Sequence, residues 1–132
     1  MNSQAFRPAI AVILAFAAFP AIADGDAALG KNTFSVACMA CHDAASATDK
    51  VGPHLSGVFG RTAGTAESYL GKYSPAMQAA GAAGLVWDDT NLADYLRSPK
   101  VKVPGNRMAF SGLKREDDVA NVIAYLKAEP KP

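Results

Sequence analysis

Cys38-Met39-Ala40-Cys41-His42 is the stretch on which the reading of the whole chain turns. Two thiols three residues apart sit on one side of a single turn. Each can form a thioether to a vinyl group of a haem, and the next residue, His42, then aims its imidazole at the iron. The motif C-x-x-C-H, in an exported protein, reads as the attachment site of a c-type haem. Three other uses compete. A disulfide is the plain outcome for two cysteines in an oxidising compartment. A thioredoxin-type redox pair wants a helix start after a strand, whereas this pair follows a helical segment. A structural zinc site lacks its fourth ligand. Cys38 and Cys41 are the only cysteines of the sequence.

Export is written at the N-terminus. Residues 1–8 are polar with one positive charge, Arg7, and Ala9 to Phe19 is almost unbroken apolar sequence. Ala21-Ile22-Ala23 then sets small residues three and one before Asp24, the pattern of a secretory signal cut after Ala23. The apolar run falls short of the roughly 20 residues that a spanning helix needs, which speaks against a retained anchor. Residues 24–132 are expected to form one domain in the periplasm. Without Arg7 that domain carries 12 basic and 12 acidic side chains. This balance excludes a nucleic-acid binder, whose footprint is excess positive charge. A domain this small buries a limited share of its surface and gains from a cofactor at its centre.

The spacing predicts short helices and long loops. Ala27, Gly30, Phe34 and Ala37 recur at helical intervals over 26–37, with Asp24 or Asp26 as cap. Gly30 costs that helix about 1 kcal/mol against alanine, which close approach by another helix would offset. Residues 43–72 lack periodicity and are punctuated by glycine, as in a loop. So long a loop makes sense if it wraps a group that supplies its core. Ser74-Pro75 starts a short helix that Gly81 ends. Asp88 or Asp89 opens another, which carries Leu92, Tyr95 and Leu96 on one side and cannot continue past Pro99. Residues 100–112 read as irregular. Val119, Val122, Ile123 and Leu126 form the stripe of the last helix, with Glu116, Asp117 and Asp118 in its first turn and Lys127 in its last.

A six-coordinate electron carrier needs a second axial ligand, and the sequence offers His54, Met39, Met77 and Met108. Met39 lies inside the attachment turn and does not easily reach the far face. Met77 suits the core of a short helix, and His54 suits hydrogen bonding near the proximal side. Met108 sits in Pro104-Gly105-Asn106-Arg107-Met108-Ala109-Phe110, a turn between helices that can present a thioether from a loop. The pattern favours Met108 without closing the choice. Methionine ligation raises the potential relative to a second histidine.

Taken together, four segments resemble the class I cytochrome c family across the whole of residues 24–132. They are the attachment motif, Gly52-Pro53-His54-Leu55-Ser56-Gly57-Val58-Phe59-Gly60-Arg61, the Met108 loop, and Ile123-Ala124-Tyr125-Leu126-Lys127. The resemblance implies an all-α class I cytochrome c fold. In it, short helices and long loops wrap one covalent haem, and the first and last helices cross through Gly30, Phe34, Val122 and Tyr125. It implies His42 and Met108 as iron ligands. Pro53 would supply a carbonyl to the ring N–H of His42, fixing the tautomer and raising ligand basicity. Arg61, Trp87 and Tyr73 would contact a buried propionate, and Tyr95 would hydrogen-bond the Met108 sulfur. Two positions depart from the family: Met77 stands where many relatives have asparagine, and Asn106 where many have threonine.

The function so implied is a soluble, monomeric one-electron shuttle, not an enzyme. A membrane quinol–cytochrome c oxidoreductase would be the donor. An oxidase, photosynthetic reaction centre, dehydrogenase or reductase would be the other partner. Lys50, Lys100, Lys102 and Arg107 flank the haem loops and are the candidate docking charges. A peroxidase-like haem enzyme or a gas-binding sensor is the alternative, and either needs an open iron face.

Overall fold

The computed structural model describes residues 24–129 and 131–132; the expected signal segment, 1–23, lies outside the described residues. Helix α1 spans Ala27–Ala37. Asp26 caps it, accepting from the amides of Ala28 and Leu29 at 2.8 and 3.0 Å. These are two of the amides that a helix start leaves without partners. Helices α2 (Pro75–Ala82) and α3 (Asp89–Arg97) follow, capped by Ser74 and Asp88. Then come the single turn α4 (Pro99–Lys102) and the last helix, α5 (Glu116–Lys127).

The architecture is set by α1 crossing α5, the most extensive helix–helix contact among the described residues. Gly30 permits it: a Cβ there would overlap the carbonyl of Asn121 and crowd the Tyr125 side chain. Phe34 packs its ring 5.3 Å from that of Tyr125, and Asp26 N–H donates to Asn121 Oδ1 at 2.7 Å. Phe34, Val119, Val122 and Leu126 are all buried. Burial of each such side group is worth about 1.5–3 kcal/mol. The exposed ion pair Arg97–Glu116 also ties α3 to α5, but pairs of that kind are worth about 1 kcal/mol or less. Apolar burial therefore carries the crossing.

Three details differ from the sequence reading. Gly81 does not end α2, which runs to Ala82. Its missing side chain serves instead to admit the carbonyl of Ala63, and the reversal comes at Gly84, whose φ is +94°. Within 43–72 a 3-10 helix spans Glu67–Lys72. It buries none of its residues, so no apolar stripe betrays it. Pro99 stops α3 but then opens α4, because its fixed φ suits a first helical position. A short antiparallel lashing joins 60–63 to 85–87. Trp87 N–H donates to Arg61 O at 2.9 Å, and Gly60 N–H to Trp87 O at 2.8 Å. It brings two of the expected site residues side by side.

Candidate functional site

The end of α1 becomes the attachment turn. The amides of Cys38 and Met39 both donate to Phe34 O, and those of Cys41 and His42 both donate to Cys38 O at 3.0 Å. Both cysteines are free, Cys38 half-buried and Cys41 exposed. Burial, with Cys41 nearby, pushes the Cys38 thiol up to about 11. A redox-active cysteine pair needs the opposite, a thiol pushed down toward neutrality. Nor do the described residues contain a cluster of three or more His, Cys, Asp or Glu able to hold a metal ion.

The loop after the turn folds back over His42. Gly52 N–H donates to Cys41 O at 2.8 Å and Leu55 N–H to Asp43 O at 2.6 Å. Gly52 lies so close to the imidazole that a Cβ would overlap the ring. The ring Nδ1 is 2.7 Å from the Pro53 carbonyl oxygen. A carbonyl only accepts, so Nδ1 carries the proton and Nε2 keeps its lone pair. Burial lowers the pKa of His42, which favours the neutral ring. This donor set fits a c-type haem. Two free thiols stand on one turn, beside a neutral imidazole whose tautomer leaves Nε2 available. Cys38 is itself one of the partly buried groups that pack against the core, as are Leu55, Tyr73, Leu85, Met108 and Leu113.

The Met108 loop is shaped by Asn106, which is buried. Its amide donates to Pro99 O and Val103 O, both at 2.8 Å, and its Oδ1 accepts from Met108 N–H at 3.0 Å. Lys100 Nζ donates to the Asn106 carbonyl. One side chain thus ties α4 to the backbone of residue 108. Asn106→Ala strands the Met108 amide, at about 1–3 kcal/mol where it stays dry, and removes the second of two donors from Pro99 O and Val103 O, which keep the amides of Val103 and Asn106. We expect a loss of about 2–4 kcal/mol in denaturant unfolding of the haem-loaded protein. Unchanged stability would contradict this role.

The remaining residues group as follows. Arg61 sits beside Trp87 and donates through Nη2 to the His54 carbonyl at 2.9 Å. Trp87 is buried, with its ring 4.9 Å from that of Tyr95. Tyr95 is buried too, which pushes its hydroxyl up to about 12. Among the described residues no hydrogen bond runs from it to Met108. The Tyr73 hydroxyl accepts from Ala66 N–H at 3.3 Å. Of the other ligand candidates, Met39 is exposed and Met77 is buried in the core, while the His54 ring is engaged by Asp49 at 3.0 Å. Asp49 has no sequence signal of its own, and only its place five residues before His54 hints at the pairing.

Comparison with known proteins agrees with this chemistry. The family model Cytochrome c matches residues 27–129. The chain is 46% identical over 112 residues to cytochrome c2 of Agrobacterium tumefaciens, covering 83% of this chain and 98% of that protein. It is 42% identical over 103 residues to cytochrome c-550 of Nitrobacter winogradskyi, covering 77% and 89%. Among solved structures, cytochrome cH from Methylobacterium extorquens superposes with a TM-score of 0.69 at 42% identity, over 78% of this chain and 98% of that one. On its attachment turn, its crossing helices and these relatives, the chain belongs to the cytochrome c family, carries haem c covalently and works as an electron carrier rather than an enzyme.

Proposed function

We propose that this chain shuttles single electrons in the periplasm, after loss of residues 1–23, with His42 and Met108 as the two iron ligands. The observation that carries the reading is the setting of His42, whose Nδ1–H is committed to Pro53 O at 2.7 Å and whose Nε2 is left for a metal. When bound, the haem supplies a reversible one-electron couple at its iron. The protein's own part is to hold both ligands still. Cys38 and Cys41 tether, Pro53 and Gly52 orient His42, and Asn106 holds the Met108 backbone. Arg61, Trp87 and Tyr73 are proposed to meet the buried propionate, and Tyr95 to wall the Met108 side through its packing on Trp87. No helix among the described residues is long and apolar enough to cross a membrane.

A membrane quinol–cytochrome c oxidoreductase is the proposed donor, and a terminal oxidase, reaction centre, dehydrogenase or reductase the other partner. Lys50, Lys100, Lys102 and Arg107 are the proposed docking charges. Lys50 Nζ rests on Met39 O at 2.7 Å and Lys100 on Asn106 O, contacts with the attachment turn and the Met108 loop that support the reading. Lys102 is paired with Asp94 at 3.0 Å, so its field is partly cancelled, while Arg107 is exposed. Steering by so few charges is modest and fades with salt. We expect reduction of the loaded protein by membranes of its source organism to slow as ionic strength rises, and Arg107→Ala to flatten that slope. A rate indifferent to salt would overturn the docking residues. Failure of any membrane preparation to reduce the protein would overturn the shuttle.

A further inference from the structure

The peptide group that joins Pro53 to His54 is gripped at both ends. Its carbonyl oxygen accepts from His42 Nδ1–H at 2.7 Å, and its N–H donates to Asp49 Oδ1 at 2.9 Å. Asp49 Oδ1 also accepts from His54 Nδ1–H at 3.0 Å, and both side chains are largely buried, with Asp49 12% and His54 14% exposed. Arg61 Nη1 lies 3.4 Å from His54 Nε2. A guanidinium only donates, so Nε2 must accept, and His54 is the neutral Nδ1–H tautomer. The negative charge of Asp49 is therefore not neutralised by an imidazolium. Its carboxyl is held down to about 2, first by the His54 amide and then by Ser68 and the His54 ring. An anion that accepts from the N–H end of an amide pushes electron density toward the carbonyl oxygen. Hydrogen bonds chained in this way strengthen one another by about 10–30% each.

We infer that Asp49 is a positioning residue for His42, acting through the Pro53–His54 peptide group to strengthen the bond on Nδ1–H and so raise the basicity of the ring. The inference rests on the reading of His42 as an iron ligand. Groups hydrogen-bonded to the far nitrogen of a ligating histidine tune its basicity. Here the carboxylate reaches that nitrogen across one intervening amide. A more basic ring favours the ferric protein.

Asp49→Asn is the test, because asparagine keeps an oxygen for the His54 amide and removes the charge. In the ferrous haem-loaded protein, the His42 Nδ1–H proton resonance should move upfield and exchange faster with solvent. The redox equilibrium should shift toward the reduced form by about tenfold, equivalent to about 59 mV for a one-electron couple. His54→Phe removes one donor from Asp49 and leaves more charge on the amide, so the same resonance should move downfield. This variant tests the inference even if Asp49→Asn does not fold. A shifted potential with an unmoved His42 resonance in Asp49→Asn would mean that the charge acts only through space, and would overturn the relay. So would no change in either variant. A wild-type protein whose His42 protons show no haem ring-current shift would instead overturn the ligand reading itself.

Discussion

Met108→Ala is expected to leave the haem attached while opening the iron to exogenous ligands and lowering the potential. The attachment turn is built on α1 and does not depend on the Met108 loop, so the pigment stays. Asn106 holds the loop through Pro99, Val103 and the residue 108 amide, none of which involves the thioether. The backbone should therefore keep its course around a shorter side chain. On the proposed ligation, what is lost is a soft sulfur ligand, which favours ferrous iron over the harder water or hydroxide that would replace it. Axial ligation spans about 0.8 V across haem proteins, and a fall of about 0.1–0.3 V is expected here. The weak red absorbance band that this family owes to methionine ligation should vanish, and carbon monoxide should bind readily. A variant that keeps both band and potential would show that another side chain is the distal ligand. A wild-type protein that already binds carbon monoxide would favour the sensor or peroxidase alternative, in which the iron face is open.

Gly30→Ala should be among the most damaging small substitutions in the scaffold. Helix propensity alone predicts a gain of about 1 kcal/mol. The added methyl, however, would land on the carbonyl of Asn121, which is α5 backbone and cannot turn aside like a flexible side chain. The helices must separate, and Phe34 and Tyr125 lose contact together. Overpacking costs about 1–3 kcal/mol even where side chains can adjust. A net loss of about 2–4 kcal/mol is expected, a large part of the roughly 5–15 kcal/mol of a typical domain. Gly71→Ala is the contrasting change. Nothing lies within 4 Å of a Cβ there, and the variant should be neutral or slightly stabilising. Denaturant unfolding of the two haem-loaded variants checks both. Equal stabilities would contradict the close crossing.

How far sequence reveals such a molecule depends on how local the determinant is. Helix α1 is legible because Asp26 and the Gly30–Phe34 face lie within one stretch, and α5 because its stripe and charged ends are complete. The end of α2 misleads because a glycine that admits a distant carbonyl looks, from sequence, like one that ends a helix. The 3-10 segment and α4 are hidden because neither is long enough to show a period. At the site, the attachment motif is five consecutive residues and reads directly. The Pro53 carbonyl is reached only through family resemblance, since nothing in a proline signals which donor will approach it. Asp49 escapes altogether. Its partners His54 and Ser68, with Arg61 behind His54, are gathered by loops, and no spacing rule foretells such a meeting.

One bonded claim underlies all of this, that Cys38 and Cys41 hold the haem through carbon–sulfur links. Purified haem-loaded protein should be extracted with acidic organic solvent and the polypeptide weighed afterwards. All colour should stay with the polypeptide, and its mass should exceed that of the same polypeptide without haem by one haem. Colour passing into the solvent, with a polypeptide of unmodified mass, would contradict the claim.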